Sequence, residues 1–202
     1  MAKSSGSVTI PGTNYRLVNK LARVQTALVI GLVLRVGLVA AQNLLTNPGF
    51  ETGDTSGWFA FGPPTLSVQT GQVHSGTYAC LVTNRTSTWN GIPQSFVGAL
   101  QSGQNYNVSA WVRLVNGGNQ TLQLTVQKTD GSGTSYSAID SDSVASTGWT
   151  QHSGQYSYNP SGTVTALNFY AEVPSSTNAS YFIDHVQFTA AGTNPPINGV
   201  SA

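Results

Sequence analysis

The chain has 202 residues, of which 39% are hydrophobic, 9% aromatic and only 7% charged. An ordinary globular domain carries roughly 25% charged residues, so this surface must be built from Ser, Thr, Asn, Gln and Gly, while the apolar content is enough for a packed core. The net charge is +1, but residues 42 onward hold three basic and seven acidic side chains, a net charge of −4. The body of the chain thus has neither the basic footprint of a nucleic-acid-binding protein nor a glycine-rich phosphate loop, and its surface suits neutral ligands.

Residues 1–41 have the composition of a targeting signal. Five of the eight basic residues fall within the first 35 positions, and an apolar stretch from Val24 to Leu34 is followed by a second one that ends in Val39-Ala40-Ala41. Basic, apolar and small residues in this order are typical of a secretory signal peptide. Arg35 departs from the pattern, because it divides an apolar region that would otherwise be long enough to span a membrane. We expect a cleaved signal and a secreted, extracellular protein; an uncleaved anchor, an assembly helix and a misassigned start are the alternatives.

Residues 42–189 have the pattern of short strands, because apolar and polar residues alternate and no helical period is long enough to predict a helix. The clearest runs are Thr65–Gln69, Asn107–Val112, Thr121–Val126, Val164–Val173 and Tyr181–Phe188. Turn signals separate the runs at 116–119, 130–133 and 159–162. About nine to eleven evenly spaced strands without helices predict an all-β fold of two packed antiparallel sheets, a β-sandwich or jelly roll. Residues 190–202 have the composition of a linker-like tail.

Several residues that could carry chemistry have a structural interpretation instead. Cys80 is the only cysteine and lies in an apolar run, so we expect a buried and unreactive thiol. Trp58, Trp111 and Trp149 are expected in the core or as anchors of turns. The three histidines are scattered and lack the spacing of zinc ligands.

Five motifs follow one another along the body of the chain. They are the run from Asn43 to Glu51 with Gly57-Trp58 behind it, His74–Tyr78, Arg85–Gly91, Tyr106–Val112 and Phe182–Val186. In this order they resemble the jelly-roll carbohydrate-binding modules of families 4, 9 and 22, over about residues 43–189. The Arg-Thr-Ser-Thr-Trp-Asn-Gly element at 85–91 and the Tyr-Ala-Glu element at 170–172 are most similar to family 22, the xylan-binding modules usually attached to xylanases.

This resemblance implies a non-catalytic module that binds a β-1,4-linked polysaccharide, xylan or mixed-linkage glucan, in a cleft on one sheet. It also implies a glycoside hydrolase partner, covalent or non-covalent, that the module brings to plant cell wall. We expect a monomer unless the N-terminal segment mediates assembly. The alternative is a structural or adhesive surface protein that reuses the jelly roll and keeps residues 20–41 for packing. An open groove favours the first function, and a filled groove favours the second.

The resemblance further implies which residues contact the ligand. Trp89 matches the key tryptophan of family 22, Tyr170 and Glu172 match its Tyr-x-Glu pair, and Tyr136 is a looser match to another aromatic residue of the cleft. Elementary chemistry agrees, because flat aromatic rings cover the apolar C–H faces of sugars while polar side chains bond their hydroxyl groups. Residues 170 and 172 are two positions apart and would share one face of a strand.

Two further positions bear on this cleft. Family 22 commonly has an arginine shortly after Gly-Trp, whereas this chain has Phe59-Ala60-Phe61 there. The resemblance therefore implies that a guanidinium hydrogen bond is lost and that Phe61 stacks on the ligand instead. Arg85 is either a sugar contact or a structural partner.

Jelly rolls of this group commonly carry a structural calcium ion away from the sugar cleft, and the resemblance places Glu51 and Asp184 at that site. Calcium prefers carboxylates and backbone carbonyl groups, and the loop at 74–77 would supply the carbonyl groups. Because the two carboxylates are 133 positions apart, the ion would tie the first strand to the last. The alternative is that both side chains only accept hydrogen bonds from turn amides.

Intrinsic catalysis is not expected. A glycosidase needs two carboxylates that face one scissile bond, whereas residues 42–202 contain only the glutamates Glu51 and Glu172, and the first is assigned to the metal. Asp140 or Asp142 would have to approach Glu172 through the fold. The nucleophile elbow Gly-x-Ser-x-Gly of α/β-hydrolases is absent from the sequence.

Overall fold

A computed structural model of the protein describes residues 41–192. Residues 1–40 and 193–202 lie outside the described residues, so the predicted signal segment and the end of the linker-like tail stay predictions. The described residues form nine strands: β1 (Thr65–Gln69), β2 (Ala79–Thr83), β3 (Ile92–Ser95), β4 (Gln104–Leu114), β5 (Gln120–Asp130), β6 (Gly133–Val144), β7 (Thr150–Tyr158), β8 (Ala166–Glu172) and β9 (Tyr181–Ala190). Between residues 41 and 192 no helix is long and apolar enough to cross a membrane.

The nine strands form two antiparallel sheets that pack face to face. The five-stranded sheet has the order β1-β2-β9-β4-β7, and the four-stranded sheet has the order β3-β8-β5-β6. Several neighbours in a sheet are far apart in the sequence, as where β2 pairs with β9 and β3 pairs with β8. The chain therefore passes back and forth between the sheets, and the predicted all-β sandwich of the jelly-roll type is confirmed.

Alternation along the strands creates the core between the two sheets. In β5 the side chains of Leu122, Leu124 and Val126 are completely buried. The neighbouring strand β8 buries its own alternate residues, which are Leu167, Phe169 and Ala171. Because successive side chains of a strand point to opposite faces, the intervening residues of β5 and β8 lie on the outer face of the four-stranded sheet.

The structural roles predicted for Cys80 and Trp58 agree with this core, whereas Trp111 lies outside it. Cys80 is completely buried, and burial raises the pKa of its thiol to about 12, which keeps the thiol protonated and unreactive. Trp58 is buried, with its ring centroid 6.5 Å from that of Phe169. Trp111 is half-buried on the five-stranded sheet, where its ring stacks on that of His74 at 3.9 Å.

A bulge in β6 makes the side chains on its two sides point to opposite faces of the sheet. The sequence pattern did not predict this bulge. The pairing register shifts between Leu124 and Thr125, so that Ile139 has no partner on β5. On one side of the bulge Tyr136 stays on the outer face of the sheet. On the other side Asp140 turns inward, and its Oδ2 atom lies 2.9 Å from Nδ1 of the completely buried His152 on β7.

Candidate functional site

A cleft of about 440 Å³ lies on the outer face of the four-stranded sheet. Its lining consists of five of the six residues predicted from the sequence as ligand contacts: Phe61, Trp89, Tyr136, Tyr170 and Glu172. These residues come from four separate stretches of the chain, and the fold brings them together. The sixth predicted residue, Arg85, is not among the lining residues.

Strand β8 forms the floor of the cleft. Because Phe169 points into the core, Tyr170 and Glu172 point to the outer face, as their spacing of two residues predicts. Strand β5 runs beside them and places Thr125 opposite Tyr170 and Gln123 opposite Glu172. The floor thus carries one ring, one carboxylate and their polar neighbours.

Glu172 is the one charged side chain among the described lining residues. Its Oε1 atom accepts hydrogen bonds from Oγ1 of Thr125 at 2.6 Å and from Nε2 of Gln123 at 3.1 Å. Burial raises the pKa of the Glu172 carboxyl, and these hydrogen bonds and the charge of Arg85 oppose that shift. Since Oε2 accepts no hydrogen bond from residues 41–192, it is available to a hydroxyl group of a ligand.

The aromatic residues stand at the two edges of this floor. Phe61 lies between Trp89 and Tyr170, with ring centroids 5.3 Å and 5.5 Å away and the rings packed edge to face. Trp89, just before β3, remains 47% exposed, and Tyr136, on β6, is 61% exposed. As β3 and β6 are the outer strands of the sheet, a ligand that lies across the strands meets an exposed ring at each end.

Arg85 lies beneath the loop that carries Trp89, and its contacts bear on the two roles that the sequence left open for it. The side chain is buried, and its guanidinium group donates hydrogen bonds of 2.8–3.3 Å to six backbone carbonyl groups: those of Ser87, Thr88, Asn90, Val173, Ser176 and Ala179. A guanidinium group has five N–H donors, and here they are committed to the backbone. The structure therefore gives Arg85 a positioning role and does not support a direct contact with the ligand.

Asn90 joins the Trp89 loop to the segment that carries Phe61. Its Oδ1 atom accepts hydrogen bonds from the amides of residues 86 and 87 at 3.0 Å and 2.9 Å, and its Nδ2 atom donates to the Phe61 carbonyl at 3.2 Å. Gly62 adopts a φ of 91° and passes so close that a Cβ atom would collide with the Asn90 amide. The loop and the segment thus hold the rings of Trp89 and Phe61 against each other.

A row of polar side chains beside the cleft was not predicted from the sequence. Asn168 donates through Nδ2 to Oε1 of Gln127 at 2.9 Å, and Nε2 of Gln127 lies 3.5 Å from the Tyr136 hydroxyl group. With Gln123 and Thr125 these residues occupy the outward positions of β5 and β8. Polar residues at alternate positions 123, 125 and 127 are the signal that could have identified them. Amides and hydroxyl groups in this arrangement can both donate to and accept from sugar hydroxyl groups.

The two predicted calcium ligands lie on the other side of the molecule's core, around Gly49. A Cβ atom at Gly49 would be 3.6 Å from Cγ of Glu51 and 3.7 Å from Oδ1 of Asp184. Each carboxylate accepts hydrogen bonds of 2.9–3.1 Å from amides of residues 74–78, so this loop presents amides where carbonyl groups were predicted. Among residues 41–192 no cluster of three or more His, Cys, Asp or Glu side chains could hold a metal ion. Both carboxylates still have unused lone pairs, and the calcium site stays a prediction.

An open cleft with exposed rings at both ends and a floor of amide, hydroxyl and carboxylate groups is the site of a carbohydrate-binding module. The sequence profile of the carbohydrate binding domain family matches residues 42–178, which is more than half of the chain. The chain therefore belongs to this family, and the resemblance to the family 4, 9 and 22 group is confirmed.

Individual relatives and solved structures agree with this assignment. The endo-1,4-beta-xylanase A of Thermoanaerobacterium saccharolyticum is 40% identical over 151 residues, which cover 73% of this chain and 13% of the xylanase. The exoglucanase XynX of Acetivibrio thermocellus is 38% identical, over 73% of this chain and 14% of the exoglucanase. The chain thus spans only a small part of these curated relatives.

Two modules of known structure share both the fold and part of the sequence of this chain. The CBM22-1 xylan-binding domain of Paenibacillus barcinonensis Xyn10C superimposes with a TM-score of 0.68 and 30% identity, covering 75% of this chain and 96% of that domain. The C-terminal family 22 carbohydrate-binding module of Clostridium thermocellum Xyn10B superimposes with a TM-score of 0.67 and 25% identity, covering 76% of this chain and 99% of that module.

Residues 42–178 thus form a binding domain and not a catalytic one, as the sequence predicts. Of the described lining residues, Glu172 alone carries a carboxylate, whereas glycoside hydrolysis uses two. Asp140 is turned away from the cleft toward His152.

Proposed function

We propose that this module binds a xylan-type β-1,4-linked polysaccharide chain in its cleft and thereby holds an attached glycoside hydrolase on plant cell wall. The observation that carries the proposal is the convergence of Trp89, Phe61, Tyr170, Glu172 and Tyr136 around one open cleft. The similarity to a xylan-binding domain and to xylanases supports xylan as the ligand.

The cleft suits a neutral sugar chain for three physical reasons. The exposed rings of Trp89 and Tyr136 offer flat apolar surfaces to the C–H faces of sugar rings. The Oε2 atom of Glu172 and the amide row at Gln127 and Asn168 offer hydrogen-bond partners to the hydroxyl groups. Since no cationic side chain is among the described lining residues, an acidic ligand would find no partner there.

Calorimetric titration of the full chain with xylohexaose and cellohexaose tests this proposal. We expect xylohexaose to bind with a favourable enthalpy, because rings and hydrogen-bond partners are already in place, and we expect cellohexaose to bind less tightly. If the folded protein binds neither sugar, the proposed ligand is wrong and the structural or adhesive function takes its place.

Changing Glu172 to Gln should have opposite effects on ligand affinity and on the stability of the protein. We expect xylohexaose to bind about tenfold more weakly, because a charge-assisted hydrogen bond contributes about 1.5 kcal/mol or more. We also expect the variant to be more stable at pH 7. Burial raises the folded-state pKa of Glu172, so the stability that this carboxyl contributes is present at acidic pH and is lost as the pH rises through that pKa.

Thermal unfolding and titration at pH 4 and pH 7 would measure both effects of Glu172→Gln. The difference in stability from the wild type should shrink at acidic pH, because the Glu172 carboxyl becomes protonated in the unfolded state as well as in the folded state. Asp142→Asn is the matched control, because Asp142 is exposed and does not line the cleft. Equal affinity of the wild type and Glu172→Gln would remove Glu172 from the set of ligand contacts.

The open cleft favours glycan binding over the structural or adhesive alternative, which requires a filled groove. The other part of that alternative concerns residues 20–41 and lies outside the described residues. We further propose that the module acts outside the cell as a monomer, since its ligand is a cell-wall polysaccharide and its relatives are xylanases. Size-exclusion chromatography would check the monomeric state, and the presence of the protein in the culture medium would check the location.

We also propose that calcium binds at Glu51 and Asp184 and stabilises the fold. The two carboxylates flank Gly49 and keep lone pairs that the amides do not use. We expect the melting temperature to be higher in calcium chloride than in EDTA, because an ion that binds only the folded state stabilises it. Asp184→Asn should abolish this difference, whereas equal melting temperatures for the wild type would mean that the carboxylates serve only as acceptors for turn amides.

A further inference from the structure

Three aromatic side chains are largely exposed among residues 41–192, and two of them line the cleft. Trp89 is 47% and Tyr136 is 61% exposed, and both belong to the proposed binding surface. The third is Phe59, which is 43% exposed and is not part of the cleft lining. An exposed ring does not gain the free energy that burial would provide. The exposure of Phe59 therefore points to a binding role for its ring.

Residues 59–61 extend the four-stranded sheet beyond β3. The amide of Phe59 donates a hydrogen bond of 3.0 Å to the carbonyl of Pro93, and the amide of Phe61 donates one of 3.1 Å to the carbonyl of Gly91. The two bonds are two residues apart on both segments, which is the pattern of an antiparallel pair. Side chains 59 and 61 therefore point to the same face of the sheet.

That face is the one that carries the cleft. Phe61 contacts the rings of Trp89 and Tyr170. Trp58, the residue before Phe59, is buried on the core side. Alternation along the segment thus places the ring of Phe59 on the cleft face.

The pairing registers place Phe59 in line with the floor of the cleft. Phe59 pairs with Pro93, which is opposite Tyr170 on β8, and Tyr170 is opposite Thr125 on β5. With neighbouring strands about 4.8 Å apart, Phe59 lies two strand spacings beyond Tyr170, at the edge of the sheet. A sugar chain that crosses the strands over Thr125 and Tyr170 would next pass over Phe59.

We propose that Phe59 forms an additional subsite that stacks one further sugar ring of a neutral β-linked polysaccharide, beyond the rings held in the cleft. This inference rests on the proposed function and adds a determinant of ligand length to it. The cleft alone holds a short oligosaccharide, and Phe59 contributes only when the chain is long enough to reach the edge of the sheet.

A length series measures this subsite directly. The full chain and its Phe59→Ala, Phe59→Trp and Val115→Ala variants are titrated with xylotriose, xylotetraose, xylopentaose and xylohexaose. We expect Phe59→Ala to weaken the longest ligand by about threefold to tenfold, as one aromatic stacking contact does, and to leave the shortest bound ligand unchanged. Phe59→Trp should retain or increase the affinity for the longest ligand. Val115→Ala removes a comparably exposed apolar side chain outside the cleft lining and should change nothing.

The outcomes distinguish this subsite from the proposed function. If the wild type binds the oligosaccharides but Phe59→Ala binds all of them equally well, the subsite is wrong and the proposed function stands. Equal losses for short and long ligands would also overturn it, since Phe59 would then act on the cleft as a whole. If the wild type binds no oligosaccharide of the series, both the proposed function and the subsite are wrong.

Discussion

Trp89→Ala is expected to remove most of the affinity for xylohexaose while leaving the fold intact. Trp89 is 47% exposed at one end of the cleft, and its ring is held by an edge-to-face contact with Phe61 at 5.3 Å. A rigid aromatic ring that binds a ligand face is typical of a binding hot spot, worth about 2 kcal/mol or more, or roughly thirtyfold in Kd. Since Trp89 is not part of the hydrophobic core, the free energy of unfolding should change by no more than about 0.5 kcal/mol.

Two further variants make the result specific to the ring. Trp89→Phe keeps a smaller flat surface and should retain part of the affinity. Val97→Ala alters a side chain that is also 47% exposed but lies outside the cleft lining, and it should bind as the wild type does. Titration gives the affinities, and thermal unfolding confirms that each variant is folded. Wild-type affinity in Trp89→Ala would contradict the assignment of the cleft as the binding site.

The fold could be predicted from the sequence because its strands alternate clearly where one face is buried. Thr65–Gln69 was predicted with the same bounds as β1, and Tyr181–Phe188 falls within β9. Strand β6 has no such clear alternation. Its residues are mostly exposed Ser, Thr and Asp, and the bulge at Ile139 depends on pairing with β5, which no local pattern specifies.

The role of a site residue could be predicted where it follows from the local sequence. It could not be predicted where it depends on contacts with distant parts of the chain. The spacing of Tyr170 and Glu172 fixed their common face, because strand alternation is local. Arg85 could not be assigned from the sequence, since its partners include carbonyl groups of residues 173, 176 and 179, which only the fold brings near. The face to which Phe59 points could not be predicted either, because it depends on pairing with Pro93.

Replacing Arg85 by Met is expected to cause the largest loss of stability of the variants considered. Six carbonyl groups would lose a charged donor in a buried place, and the cost of leaving buried acceptors unpaired is about 3 kcal/mol. For a chain of this size that lowers the melting temperature by roughly 6–12 °C. Arg113→Met is the matched control. Arg113 is half-buried, and its side chain makes two hydrogen bonds with residues 41–192, to the Ser146 carbonyl and the Gln72 side chain, so the loss of stability should be much smaller.

Arg85→Lys decides whether Arg85 positions the Trp89 loop or binds the ligand itself. Lysine keeps the charge but cannot span six carbonyl groups, because its three donors lie on one nitrogen atom. A positioning role predicts that stability and xylohexaose affinity fall together, since the carbonyl groups of Ser87 and Thr88 beside Trp89 lose their donor. Wild-type stability combined with lost binding would instead make Arg85 a ligand contact. The six hydrogen bonds to the backbone lead us to expect the first result, in which the buried arginine acts on the sugar only through the tryptophan that its loop presents.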